Sequence, residues 1–275
     1  MIVVTGATGN VGRPLVEALV AAGEEVTAVS RGTAGPDVPE GVRHVRADLT
    51  EPDGLRPALA GAEALFLLTS GEYLGSGGDL GDVLGAARSA GVRSVVLLSS
   101  QGVGTGRHPA HLEDAVRQSS PEWTVLRPGG FASNALRWSG GVRAERTVTA
   151  PFADVALPVV DPVDIAEVAA AALRDPGHDR RTYVLTGPAP ITPRQQASAI
   201  GEALGEPVRF VEQGREEARS LMLRFMPEPV VESTLAILGA PTAAEREVSP
   251  HVEHVLGRPP RTFATWAQHN AAAFK

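Results

Sequence analysis

Thr5-Gly6-Ala7-Thr8-Gly9-Asn10-Val11-Gly12 is the stretch that decides the fold. It follows a β-branched run, Ile2–Thr5, and opens an amphipathic stretch at about Asn10–Ala22, so its glycines lie where a strand hands over to a helix. The spacing G-x-x-G-x-x-G has a direct physical meaning. Gly6 permits a tight turn, Gly9 lets the backbone approach a pyrophosphate, and Gly12 allows the helix to pack closely on the strand. Unpaired N–H groups at the helix start face an anion, Val11 belongs to the same loop, and Thr8 and Asn10 add polar contacts. A glycine-rich turn without a ligand is the alternative, and the correct flanking elements argue against it.

Beyond the loop, short β-branched runs alternate with amphipathic stretches, as parallel strands joined by crossover helices require. The pattern predicts strands at Ile2–Thr5, Glu25–Val29, Val42–Arg46, Ala64–Leu68, Ser94–Ser99 and Trp123–Leu126. It predicts helices at about Asn10–Ala22, Pro52–Ala60, Asp79–Ala90 and Pro109–Ser119, several closing on Gly23, Gly61 or Gly91. After Arg127 the alternation loosens, with helices expected at Pro162–Leu173, Pro193–Leu204, Glu216–Phe225 and Arg261–Ala273 and a strand at Arg181–Leu185. The expected fold is α/β, a doubly wound, mostly parallel Rossmann-type sheet with a smaller C-terminal α/β lobe. Residues 1–275 then make one dinucleotide-binding domain, with 1–135 as the core and 136–275 mainly as a lobe over the carboxyl ends of the strands.

The second strand ends Ala28-Val29-Ser30-Arg31-Gly32 and carries no acidic residue where an NAD site would hold the ribose 2′-hydroxyl. Arg31 stands there, able to grip a 2′-phosphate in a fork, and Ser30 adds a hydroxyl; NADP(H) is therefore the expected cofactor. A solvated surface arginine is the plainer reading. At the third strand, Asp48 and Leu49 form an acidic-apolar pair suited to framing adenine, although Asp48 could equally cap the next helix.

The chain has 25 Lys and Arg against 32 Asp and Glu, a formal charge of −7, which opposes binding to nucleic acid or anionic membranes over a broad surface. With no cysteine, disulfides, thiolate metal ligands and a thiol nucleophile are excluded. The N-terminus turns straight into the glycine loop without a basic n-region or long apolar segment, so a cytoplasmic location is expected. His108-x-x-His111 and His251-x-x-His254 lack the H-E-x-x-H arrangement, and G-x-S-x-G is absent. Neither a metal site nor a serine hydrolase is expected.

Several later segments resemble the NmrA-like, atypical short-chain dehydrogenase/reductases, in particular a bacterial branch similar to NADPH-dependent quinone reductases that use no flavin. They are Val95-Val96-Leu97-Leu98-Ser99-Ser100, Trp123-Thr124-Val125-Leu126-Arg127-Pro128-Gly129-Gly130-Phe131 with Asn134, and Asp161-Pro162-Val163-Asp164-Ile165-Ala166. Thr182–Gly187 and Gly257–Phe263 with Trp266 extend the resemblance across nearly the whole chain. It implies that Leu68, Thr69 and Ser70 lie beside the pyrophosphate and ribose, and Ser99 and Ser100 near the nicotinamide. By the same resemblance Pro128, Gly129 and Phe131 line the nicotinamide face. The substrate pocket would draw on Tyr73, Gln101, Phe131, Asn134 and Trp138, although the aromatics could equally be core.

Ordinary members of the wider superfamily protonate their substrate with a tyrosine that a lysine four residues later assists. Here the tyrosines are Tyr73 and Tyr183, and the lone lysine is Lys275. Hydride transfer without that acid suits a quinone-like or conjugated, electron-poor acceptor, whose product anion has a conjugate acid near pKa ~10 by analogy with tyrosine. Ser100 and His108 are the candidate helpers. The partner is then a small, aromatic or quinone-like molecule; the competing readings are a non-catalytic NADP(H) sensor and another tailoring reaction, such as isomerisation, on the same fold.

Overall fold

The computed structural model describes residues 1–33, 38–69, 73 and 78–275. The main strands are β1 (Ile2–Thr5), β2 (Val26–Ser30), β3 (Arg43–Arg46), β4 (Ala64–Leu68), β5 (Ser94–Leu98) and β6 (Glu122–Pro128). β7 (Thr147–Ala150), β8 (Arg181–Leu185) and β9 (Arg209–Glu212) follow. Seven of them form one sheet in the order β3-β2-β1-β4-β5-β6-β8, and every pair in it is parallel. The order reverses direction between β1 and β4, which is where open α/β sheets bind ligands.

The strand sequences suit burial on both faces. β4 reads ALFLL and β5 SVVLL, nearly continuous apolar runs of the kind that helices cover from both sides. Ile2, Val4, Phe66, Val96 and Leu126 pack beneath α1 (Gly12–Ala21) and the Pro162–Arg174 helix. Val3, Leu65, Leu67, Val95 and Leu97 face the Gly81–Ser89 and His111–Ser119 helices. A Leu-to-Ala change at such a buried position costs about 2–5 kcal/mol, so this alternation specifies the register strongly.

The second half is interleaved with the first. β8 closes the main sheet beside β6, and the Pro162–Arg174 helix lies along α1. That helix starts where the Asp161 carboxylate accepts from Val163 N at 2.9 Å, with Pro162 needing no N–H partner. Asp164, fully buried on it, accepts from Arg258 and from both the backbone and guanidinium of Arg261; Glu167 binds the same two arginines. Two of the segments quoted above thus meet and fasten the C-terminal stretch to the sheet. A smaller core around Val142, Val148, Ile200, Phe263, Trp266 and Phe274 supports the parallel pair β7-β9.

Some elements differ from the sequence pattern, for physical reasons. Pro52–Ala60 divides into a 3₁₀ turn, Pro52–Leu55, and a single α-turn, Arg56–Leu59, because Pro57 lacks the N–H a longer helix needs. The last α-helix spans Phe263–His269, followed by a 3₁₀ turn at Ala271–Phe274, rather than running from Arg261 to Ala273; it starts late because Arg261 N is bound to Asp164 and Thr262 caps it through Thr265 N. The Arg215–Met222 helix is shorter than Glu216–Phe225 at its C-terminal end, and the Glu228–Gly239 helix and β7-β9 were not anticipated.

Candidate functional site

A groove of about 370 Å³ opens at the reversal of strand order, lined by the ends of β1, β2, β3 and β4. Beyond Val4 and Phe66 the β1 and β4 ladder ends, and the Thr5 side chain spans the gap: its hydroxyl accepts from Leu68 N at 2.8 Å and donates to Phe66 O at 3.1 Å. The two strand ends are held apart and fixed. Gly6 then turns at φ +63°, and Gly9 N donates to Gly6 O at 2.9 Å. A Cβ on Gly12 would lie 2.1 Å from Gly6 O, so only glycine permits α1 to start so close to β1. A Cβ on Gly9 would meet Gly6 O at 3.2 Å, a tight but yielding contact. Gly6, Thr8, Gly9 and Asn10 line the groove, whereas Val11 and Gly12 are buried behind it. Asn10 also donates to Ser133 Oγ at 2.9 Å, tying the loop to the 3₁₀ segment Ala132–Trp138.

At the other end of the groove stand Ser30, Arg31, Asp48 and Leu49, with Leu68 on the wall. The Asp48 carboxylate accepts from Thr50 N and Thr50 Oγ1, each at 2.9 Å. These two bonds hold it below the ordinary carboxylate range against the opposing effect of burial, and the Arg31 charge adds to them. Ser30 Oγ lies 2.8 Å from His44 Nε2, a neighbour that the sequence reading did not single out. Thr69 follows directly on β4, and Ser70 falls outside the described residues. A glycine cradle, a cationic side chain and a carboxylate arranged along one groove fit a dinucleotide.

At the ends of β5 and β6 the chemistry is different. Ser99 Oγ donates to Glu113 Oε1 at 2.6 Å. Arg127 grips the same carboxylate from two nitrogens, at 2.9 and 2.7 Å, and Arg117 reaches it at 2.7 Å. Glu113 is only 1% exposed. Burial alone would raise its pKa, but the Arg127 and Ser99 hydrogen bonds and the two guanidinium charges outweigh that and keep it below the ordinary value. A serine hydroxyl whose proton is given to a carboxylate presents only lone pairs to anything else nearby.

Ser100 caps the short Gln101–Gly104 helix by accepting from Gly102 N at 3.1 Å. His108 Nδ1 comes within 3.1 Å of the same hydroxyl, so the two candidate helpers are brought together. Gly102 makes this possible, because a Cβ there would lie 2.5 Å from His108 Nδ1. Burial lowers the His108 pKa and the Glu245 carboxylate opposes it, leaving a neutral ring near pH 7. Gln101 donates to Ala244 O at 3.1 Å and lies beside Gly129. Glu245, also buried, accepts from Thr105 and Arg107 and so clamps the C-terminal strap onto this loop.

The remaining expected residues are less uniform. Phe131 is half-buried against the main core and bridges to Val160, Pro128 is buried, and Asn134 is exposed. Trp138 packs on the lobe core. Tyr73 is placed in the main core rather than at a pocket surface, with its hydroxyl donating to Asp79 O at 2.7 Å. Among the described residues, no group of three His, Cys, Asp or Glu could hold a metal ion, and no helix is long and apolar enough to cross a membrane.

Residues 6–176 match a family model described as NAD(P)H-binding. The chain belongs to this NAD(P)H-binding family. It is 38% identical to a (4-alkanoyl-5-oxo-2,5-dihydrofuran-3-yl)methyl phosphate reductase of Streptomyces griseus, over 100% of this chain and 99% of that one. Identity to an NAD(P)H azoreductase of Xenophilus azovorans is 33%, with the same coverage. In fold it resembles the NADPH complex of the Escherichia coli quinone oxidoreductase QOR2, with a TM-score of 0.81 and 23% identity over 98% of this chain and 99% of the other. It also resembles the transcriptional regulator NmrA with NADP bound, at a TM-score of 0.71 and 18% identity over 97% and 94% of the two chains. The Streptomyces and Xenophilus relatives are both named as reductases, and the fold is the Rossmann-type one that NmrA and QOR2 share.

Proposed function

We propose that this chain uses NADPH to reduce a conjugated, electron-poor small molecule, an activated alkene or a quinone-like compound. The observation that carries this reading is the hydrogen-bonding geometry at the ends of β5 and β6. The Ser99 proton is given to Glu113, whose pKa is held below its ordinary value, and His108, its pKa lowered by burial, lies beside Ser100. Neither tyrosine takes the role of acid: Tyr73 donates to Asp79 O, and Tyr183 OH lies 2.9 Å from His178 Nδ1. The described groups there offer hydrogen-bond donors but no strong acid.

A simple ketone would develop a strongly basic alkoxide and gain most from a positioned acid. A conjugated acceptor makes a smaller demand. In a 4-alkanoyl-5-oxo-2,5-dihydrofuran, the ring alkene is conjugated to two carbonyls, so the anion formed at reduction is an enolate spread over both; a quinone likewise leaves a phenolate-like oxygen. Such anions need stabilisation more than immediate protonation, and a neutral imidazole N–H paired with a serine hydroxyl is suited to that.

Gly6, Thr8, Gly9 and Asn10 would hold the pyrophosphate with Val11 and Gly12 shaping the turn behind them, Ser30 and Arg31 the 2′-phosphate, Asp48 and Leu49 the adenosine, and Leu68 and Thr69 the adjoining ribose. Ser99, with its lone pairs outward, would accept from an N–H or O–H of the nicotinamide riboside, and Pro128, Gly129 and Phe131 would shape that face. When bound, NADPH supplies the hydride. Gln101, Phe131, Asn134 and Trp138 remain the candidates for orienting the acceptor, and proximity accounts for much of the rate. Tyr73 would act through the core.

Mixing the protein with NADPH and two acceptor panels, one conjugated and one of simple ketones, tests the reading by nicotinamide absorbance. Turnover confined to the conjugated panel is expected. Fast turnover of simple ketones would overturn it, and tight NADPH binding without turnover on either panel would favour a sensor.

A further inference from the structure

β2 and β3 run in parallel register, with Ala28 opposite His44 and Ser30 opposite Arg46. The register brings His44 to the same face as Ser30, and the ring meets the hydroxyl: His44 Nε2 is 2.8 Å from Ser30 Oγ. Ser30 is 6% exposed and its exposed part lines the dinucleotide groove beside Arg31 and Gly32. Among the described residues the Ser30 hydroxyl also makes a longer bond, 3.4 Å, donated to Gly32 O. Arg46, next but one to His44, donates from Nε to the Arg31 carbonyl at 3.0 Å and so fixes the backbone that carries the Arg31 guanidinium.

We propose that His44 is a positioning residue for recognition of the cofactor 2′-phosphate, donating Nε2–H to Ser30 so that the serine proton is aimed into the groove. This rests on the reading of NADP(H) as the cofactor with its adenosine ribose at the ends of β2 and β3. A hydroxyl has one proton. If that proton went to His44, Ser30 could offer an anion only lone pairs, which repel it. With His44 as the donor, the Ser30 proton is left on the weak bond to Gly32 O, and a phosphate oxygen would replace that bond with a shorter, charge-assisted one. The gain is specific to the phosphate, because an uncharged 2′-hydroxyl forms no charge-assisted bond.

The test compares the parent, His44→Ala, His44→Gln, Ser30→Ala and the double variant by titration with NADPH, NADH and adenosine 2′,5′-bisphosphate. His44→Ala should weaken NADPH and the bisphosphate by about tenfold, the effect of one hydrogen bond to a charged group, and leave NADH within about twofold. His44→Gln, which keeps an N–H donor, should recover part of the loss, and the double variant should be no worse than Ser30→Ala alone. NADH affinity and the melting temperature serve as folding controls. A parental preference for NADPH left undiminished by His44→Ala, or a loss shared equally by NADPH and NADH, would overturn the proposal while leaving the cofactor reading intact. Equal parental affinities for the two cofactors would overturn both.

Discussion

The glycine loop separates packing from binding, and two substitutions should separate them experimentally. In Gly12→Ala the new Cβ would sit 2.1 Å from Gly6 O, 2.7 Å from Gly6 C and 2.8 Å from Ala7 Cα. All three atoms are backbone, so no side chain can swing aside and α1 must lift from β1. Overpacking costs about 1–3 kcal/mol, and rigid neighbours put this case near about 3. At about 2–4 °C per kcal/mol for a chain of this size, the midpoint should fall by about 6–12 °C. Gly9→Val meets only Gly6 O, at 3.2 Å from its Cβ, and should cost about 1 kcal/mol while filling the groove. Thermal unfolding by circular dichroism and NADPH titration by fluorescence read the two effects apart. Gly12→Ala melting at the parental midpoint, or Gly9→Val binding NADPH with the parental Kd, would refute this account of the loop.

Glu113→Gln should destabilise by about 2 kcal/mol, below the usual 3–5 for a broken buried pair because Arg127 and Arg117 keep 20% and 29% side-chain exposure. Urea unfolding measures it. Folding lowers the Glu113 pKa from its ordinary 4.5, so its contribution is complete above that pH and is lost as pH falls through the folded value. The parent should therefore lose more stability than the glutamine variant between pH 5 and 3. Arg31→Ala should shrink the preference for NADPH over NADH by about tenfold or more in Kd, the effect of one charge-assisted pair, with little change for NADH. His108→Ala should lower kcat on conjugated acceptors; an unchanged pH–rate profile in that variant would make solvent the proton donor.

The parallel sheet and the glycine loop were legible because each rests on local constraints: alternation of apolar runs with helical stretches, and three glycines at a strand-to-helix junction. What the sequence concealed depends on contacts between distant segments. Glu113 lies beside Asp114 and near Arg117 on a helix of polar aspect and reads as solvated, yet β6 carries Arg127 to it. A signal was present, since a charged residue terminating the apolar run Val125-Leu126 demands a partner. The Ser30–His44 bond follows from the β2-β3 register, which local patterning does not fix. β7 and β9 are separated by some sixty residues and each is four residues long, too short for a periodicity to emerge. Tyr73 was expected at the pocket because aromatics often line one, whereas a hydrogen bond to Asp79 O satisfies its hydroxyl within the core.

The most direct measurement is isotopic. NADPH carrying deuterium at nicotinamide C4, as each epimer in turn, is mixed with the protein and an alkanoyl butenolide, whose reduction forms a non-exchanging C–H bond, and the product is read by mass spectrometry. Transfer of one deuterium from one epimer to the butenolide β-carbon is the predicted result. Product without deuterium from either epimer, or no oxidation of bound NADPH by any conjugated acceptor, would contradict the account.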